Sequence, residues 1–250
     1  MRPASDDPAS ESAKPRDYFA TTHWTMVLNA GRSDSTSARN ALTQLCQTYW
    51  YPLYAYLRRR GVSPADAEDL TQGFFARLLE LNSLADVRRE KGKFRSFLLA
   101  SLNHFLSDEW DRQRAQKRGQ GRVISLDACA AEARWSREPA DTLTPESLFE
   151  RKWAMTLLET VVQRLQRNYE SAGKGPLFMA LRFSIAGEKP DAPYAKLSAD
   201  LGLSEPALRV AVHRLRQRYR QLLREEIAQT VATEAEVDAE IQHLYRALAA

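Results

Sequence analysis

Apolar residues return at every third or fourth position through most of this chain, and nowhere do they alternate over a strand's length. Phe149, Trp153, Leu157, Val161 and Leu165 recur at four-residue steps, which places them along one face of a helix. Similar steps join Leu42, Leu45, Tyr49, Leu53, Tyr56 and Leu57 within residues 37–60, where Pro52 predicts a bend or a break. A second helix is predicted from Pro64 to about Leu81. Ser63 would cap it, Pro64 would occupy its first position, and Asp66, Glu68 and Asp69 would complement its positive end. A third runs from about Phe94 to Gln116 with Leu98, Leu102 and Phe105 inward. This pattern predicts an all-α fold.

Glycine and proline mark the divisions. Residues 1–18, rich in Pro, Ser, Ala and charge, read as a disordered leader. Residues 19–118 form a first helical domain of three main helices. Residues 119–145, with Gly119, Gly121, Pro139 and Pro145, read as a flexible linker. Residues 146–228 form a second helical domain, and 229–250 a last acidic helix. Hydrophobic residues make up 44% of the chain, enough for two such cores.

The net charge of +4 hides a strong segregation. Residues 112–122 hold five cations and no acid, residues 209–224 six arginines and no acid, and residues 225–250 six acids and one arginine. Two basic stretches suit contact with a polyanion at two places. The second lies in a helix-turn-helix pattern. Ala195, Leu197 and Leu201 pack a first helix, Gly202 permits the left-handed turn, Leu203 plugs the core, and Ser204 caps a second helix. Leu208, Ala211, Val212, Leu215 and Tyr219 then form its buried stripe. Glu205, Pro206, Arg209, His213, Arg214 and Arg216 are left outward, where a recognition helix meets the major groove. A solvated helix usually interleaves acids with its cations, and this one does not.

The first half carries two further constellations. Asp66-Ala-Glu68-Asp69-Leu-Thr-Gln72-Gly-Phe-Phe75 sets an acid and amide face beside an apolar stripe. The next helix mixes rings, amides and cations: Phe94, Arg95, Phe97, Asn103, Trp110, Arg112 and Arg114. Rings interleaved with cations suit single-stranded DNA, because bases stack on rings while arginines follow phosphates.

Together these motifs resemble the extracytoplasmic-function (ECF) branch of the sigma-70 superfamily, over about residues 37–116 and 147–226 and in the family's order. The resemblance implies a sigma factor that binds core RNA polymerase and directs promoter-specific initiation. Asp66, Glu68, Asp69, Gln72 and Phe75 would grip the polymerase. Phe94, Arg95, Phe97, Asn103, Trp110, Arg112 and Arg114 would bind and open the minus-ten element. Ser204, Glu205, Pro206, Arg209, His213, Arg214 and Arg216 would read the minus-thirty-five element. It allows an anti-sigma factor or other regulator as a further partner. Phe97 stands where many members have Trp, and Val210-Ala211 replaces a common Ser-Arg pair, so promoter preference does not carry over. The acidic end predicts a solvated helix, with a lid over the recognition helix as the alternative.

A stand-alone helix-turn-helix regulator is the competing class. It would bind duplex DNA tightly without polymerase. An enzyme is disfavoured: the four histidines are scattered, and no phosphate loop, nucleophile elbow or metal-ligand spacing occurs, so neither a cofactor nor a metal is expected. Cys46 and Cys129 lie far apart with no CxxC, and no run is long and apolar enough to span a membrane, which predicts a cytoplasmic protein without membrane insertion.

Overall fold

The computed structural model describes residues 36–80, 93–115, 126–136, 143–187 and 193–249. The leader lies outside the described residues. Within them the chain is all-α: α1 (Thr36–Arg59), α2 (Pro64–Glu80), α3 (Phe94–Ala115), α4 (Leu126–Trp135), α5 (Pro145–Ser171), α6 (Gly175–Leu181), α7 (Phe183–Ala186), α8 (Tyr194–Leu201), α9 (Glu205–Ala228) and α10 (Ala235–Ala249). No strand forms among these residues. The sole extended pairing among them is an isolated bridge between Lys93 and Val231.

Local chemistry sets the helix ends. The Asp66 amide donates to Ser63 Oγ at 3.2 Å, so α2 is capped by Ser63 with Pro64 in its first turn. The Ser147 amide donates to Thr144 Oγ1 at 3.1 Å, and Pro145 opens α5. Pro52 does not break α1, which runs unbroken through it. Pro52 is buried in a part of the helix packed on several sides, and that packing offsets the lost backbone bond.

Two long helices organise the core. α5 buries Leu148, Phe149, Trp153, Leu157, Val161 and Leu165 along one face. α1 packs on it, and also meets α2 and α4. Leu53, Tyr54, Ala55, Tyr56 and Leu57 of α1 are consequently buried in succession, as in a helix surrounded by neighbours. Tyr49 packs edge-on against Phe94 of α3 at 5.0 Å between ring centres, and against Phe149 of α5 at 6.5 Å. Residues of both halves thereby enter one continuous buried cluster.

Two expectations are revised. The stretch read as linker contains α4, tied to α1 by paired bonds from Arg58 to Glu132, both 3.0 Å, and by the Tyr54 hydroxyl donating to Glu132 Oε2 at 2.6 Å. Leu126-Asp-Ala-Cys-Ala-Ala-Glu-Ala-Arg-Trp135 is rich in strong helix formers, and this local preference prevails over the flanking glycines and prolines. The acidic end is not a solvated helix: α10 buries Val237, Glu240, Leu244 and Ala247 against α5 and α9.

Because Trp153 is fully buried where the two halves meet, Trp153→Ala should cost about 3–5 kcal/mol of stability. In urea unfolding of the parent protein, far-UV circular dichroism and tryptophan fluorescence should report one coincident transition. Two separated transitions would mean that the halves fold independently.

Candidate nucleic-acid and polymerase interface

The polymerase-binding candidates on α2 divide between surface and core. Asp69 and Gln72 are exposed and Asp66 is half-buried, accepting from Ser63 Oγ at 2.5 Å. Glu68 is 4% exposed and accepts from Gln72 Nε2 at 2.9 Å, one helical turn away. Phe75 is buried and packs on Phe74. Glu68 and Phe75 are therefore corrected to residues that shape the face, and Asp66, Asp69 and Gln72 remain to present it. Gly73 lies against α3, where a Cβ would make ordinary van der Waals contact with the Phe105 ring at 3.5 Å.

A similar division occurs on α3. Phe94, Arg95 and Phe97 were expected to meet DNA, but all three are core residues at the helix start. Phe94 packs between Tyr49 and Phe97. Arg95 lies beneath α10: its Nε donates to Glu240 Oε1 at 2.5 Å, its Nη2 approaches Glu240 Oε2 at 3.4 Å, and its Nη1 pairs with Glu150. Its guanidinium also stacks 5.2 Å from the centre of the Trp153 ring. Lys93 Nζ reaches Glu240 Oε2 at 2.7 Å, and His243 Nε2 lies 2.9 Å from Glu150 Oε2. The Phe94 amide donates to the Thr230 carbonyl at 3.0 Å. This helix start is thus sealed by the segment leading into α10. The sequence held one unused signal: Glu240 falls on the apolar stripe of Val237, Leu244 and Ala247, and an acid there demands a buried cation.

Farther along α3, Asn103 and Trp110 are exposed, and Trp110 keeps 41% of its surface open. Arg112 and Arg114 lie on the last turns of α3, and their side chains fall outside the described residues. Sequence reading missed Arg60 and Tyr56, which converge on Asn103 from the end of α1.

In the second half the helix-turn-helix forms around Gly202, whose φ of 63° is left-handed. The Leu203 amide returns to the Ser198 carbonyl at 3.0 Å, and Ser204 Oγ accepts from the Ala207 amide at 3.3 Å to start α9. Leu208, Val212 and Leu215 are buried, while Glu205, Pro206, Arg209, His213, Arg214 and Arg216 are all exposed. Arg216 Nε donates to the Ser184 carbonyl at 2.9 Å, which steadies it at the edge of the array. Glu225 is taken up by Arg164 at 2.7 Å and Arg218 at 3.6 Å. The acidic helix is not a lid on this array. It meets α9 at its far end, where Arg224 pairs with Asp238.

The match with known families falls on the first half. Residues 45–116 match the family described as Sigma-70 region 2, a span covering most of α1 together with α2 and α3. This supports membership of the sigma-70 superfamily, whose members are transcription initiation factors rather than enzymes. It also supports a sigma factor's role in binding RNA polymerase and melting promoter DNA. No curated protein and no solved structure matches the chain. Among the described residues no helix is long and apolar enough to cross a membrane.

Charge at the sealed helix start should govern acid stability. Burial alone would raise the Glu240 pKa, but the hydrogen bond and charge of Arg95, with those of Lys93, outweigh it and hold the carboxyl below its ordinary value. A depressed carboxyl contributes stability that is full above its unfolded-state value, near 4.5, and is lost as pH falls through the lower folded value. Glu240→Gln should therefore lower stability by about 3–5 kcal/mol at neutral pH. It should also flatten the loss of melting temperature below pH 4.5, as measured by calorimetry across a pH series.

Proposed function

We propose that this chain is a sigma factor of the ECF type, which binds core RNA polymerase and directs promoter-specific initiation through two DNA-contacting units. The observation that carries the reading is their order: a segment matching Sigma-70 region 2, followed by a helix-turn-helix whose outward face is cationic. In this reading Asp66, Asp69 and Gln72 on α2 meet the polymerase. Asn103 and Trp110, with Arg112 and Arg114 farther along α3, take the unstacked strand of the minus-ten element. Arg209, with Glu205 and His213, contacts base edges of the minus-thirty-five element, while Arg214 and Arg216 hold phosphates and fix register. Ser204 and Pro206 begin the helix and set its entry into the groove.

Strand opening needs no nucleotide hydrolysis, because preferential binding of unstacked bases shifts the duplex toward its open form. The reading places the protein in the cytoplasm with polymerase and promoter DNA as partners, and an anti-sigma factor or similar regulator as a third.

Run-off transcription with core RNA polymerase on a genomic promoter pool tests it. New, defined start sites that depend on this protein are the expected result. No start sites together with no binding to core enzyme would overturn it, and tight duplex binding by the free protein would then identify a stand-alone regulator. Within the sigma reading, Arg209→Ala should weaken binding by about 1–3 kcal/mol at particular upstream base pairs. A uniform loss on every promoter would make Arg209 a phosphate contact.

A further inference from the structure

The outward face of α9 is cationic along most of its length, but near the helix start its centre is apolar. At about 100° per residue, the buried Leu208, Val212 and Leu215 define an inner pole, and Val210 lies about 170° from it. Val210 keeps 48% of its surface exposed. Pro206 and Ala207, one turn earlier and also exposed, share its side of the helix. Arg209 and His213 lie about 90° and about 130° from the inner pole on one flank, and Arg214 about 130° from it on the other, all three exposed. Arg216, Arg218 and Arg224 are engaged by the Ser184 carbonyl, Glu225 and Asp238. On the first two turns, the residue that points most directly away from the protein is therefore a valine set between cations.

A helix-turn-helix lays the first turns of its second helix against base edges in the major groove, and cations on both flanks draw that face toward a polyanion. Base pairs present donors and acceptors there, and the one apolar group among them is the C5-methyl of thymine. The side chain of Val210 has nothing to offer a donor or an acceptor. Pressed against one, it would strip away water and leave the polar group unpaired. We propose that Val210 packs on the C5-methyl group of one thymine in the upstream promoter element, and so sets the base at that position. Thymine is thereby selected over cytosine, which lacks the methyl and offers an amino group, and over both purines, whose groove edges are polar. This inference rests on the reading of α9 as a promoter-contacting helix and adds the identity of one base. It gives a chemical meaning to Val210, where this chain departs from the pair common in the ECF branch.

Removal of the methyl group alone is the test. Uracil in place of thymine leaves base pairing and the hydrogen-bonding groups unchanged and deletes only the group that Val210 would touch. The experiment uses holoenzyme reconstituted from core polymerase and the full chain. Upstream duplexes are first selected from a randomised pool, and the selected duplex is then titrated with each thymine replaced in turn by uracil. One thymine should be enriched, and uracil there should weaken binding about fourfold, the worth of one buried methyl-sized group. Val210→Ser should bind thymine and uracil equally at that position, and Val210→Ile should keep the preference. Arg209→Ala should leave the thymine-to-uracil ratio unchanged. Circular dichroism melting of Val210→Ser should match the parent, because the residue is exposed.

A uracil effect of equal size in the parent and in Val210→Ser would overturn the proposal, as would a selected element in which no thymine is sensitive to loss of its methyl. Weakened core binding by Val210→Ser with an unaltered base profile would also overturn it, and would make the apolar spot a protein contact. If the parent forms no complex with core polymerase, the sigma reading fails. The same selection and titration with the free protein then decides this proposal separately, because it needs only the helix-turn-helix on duplex DNA.

Discussion

One buried cation ties this structure together. Arg95 is 7% exposed, and a guanidinium carried so far from water must be met by charge and hydrogen-bond acceptors or the fold does not hold. Burial by itself would lower its pKa, yet the bond and charge of Glu240 and the charge of Glu150 more than restore it. Those two carboxylates come from α10 and α5, and the ring beneath the guanidinium is Trp153 of α5. Such a group is satisfied in only one mutual placement of the three helices. Nonpolar contacts tolerate sliding far better. The aromatic packing around Tyr49, Phe94 and Phe149 supplies the apolar burial, and the ionic cluster fixes how that packing is registered.

The same arrangement separates the residues that hold the protein together from those left to meet other molecules. At the start of α3 the aromatic and cationic groups are turned inward, beneath α10. Two to four turns later the composition is similar, but Asn103 and Trp110 face outward with Arg60 between them and the neighbouring helix. On α9 the division runs along the helix rather than from end to end, with one apolar stripe inward and one cationic stripe outward. Aromatic and basic residues therefore have different work at the two ends of a single helix, and their neighbours alone decide which.

The helices themselves were largely legible. Apolar spacing located α1, α2, α3, α5 and α9, and the capping chemistry of Ser63 and Ser204 placed two of the starts, because both depend on residues close in sequence. The outward face of α9 was legible for the same reason: a strong apolar stripe on one side leaves the other side to solvent. α4 is masked in the sequence, because its short run of helix formers is flanked by glycines and prolines that read as linker. The candidate site on α3 was only half legible. Aromatic residues serve equally well in a core and on a stacking surface, so Phe94, Phe97 and Trp110 carry no local mark of which they are. Arg60 and Tyr56 were invisible as partners of Asn103, since more than forty positions separate Arg60 from it.

The sequence by itself determined the all-helical class, the positions of the principal helices, and the cationic face that follows a left-handed turn at Gly202. All of these follow from periodicity, propensity and capping, which act over a few residues. Tertiary structure decided that Glu240 neutralises Arg95, that the two halves share a core through α1 and α5, and that Arg60 and Tyr56 converge on Asn103. Those outcomes depend on burial and on partners remote in sequence. Burial sets the cost of an unpaired charge or an unmade hydrogen bond, and only the packed chain brings the partners within reach.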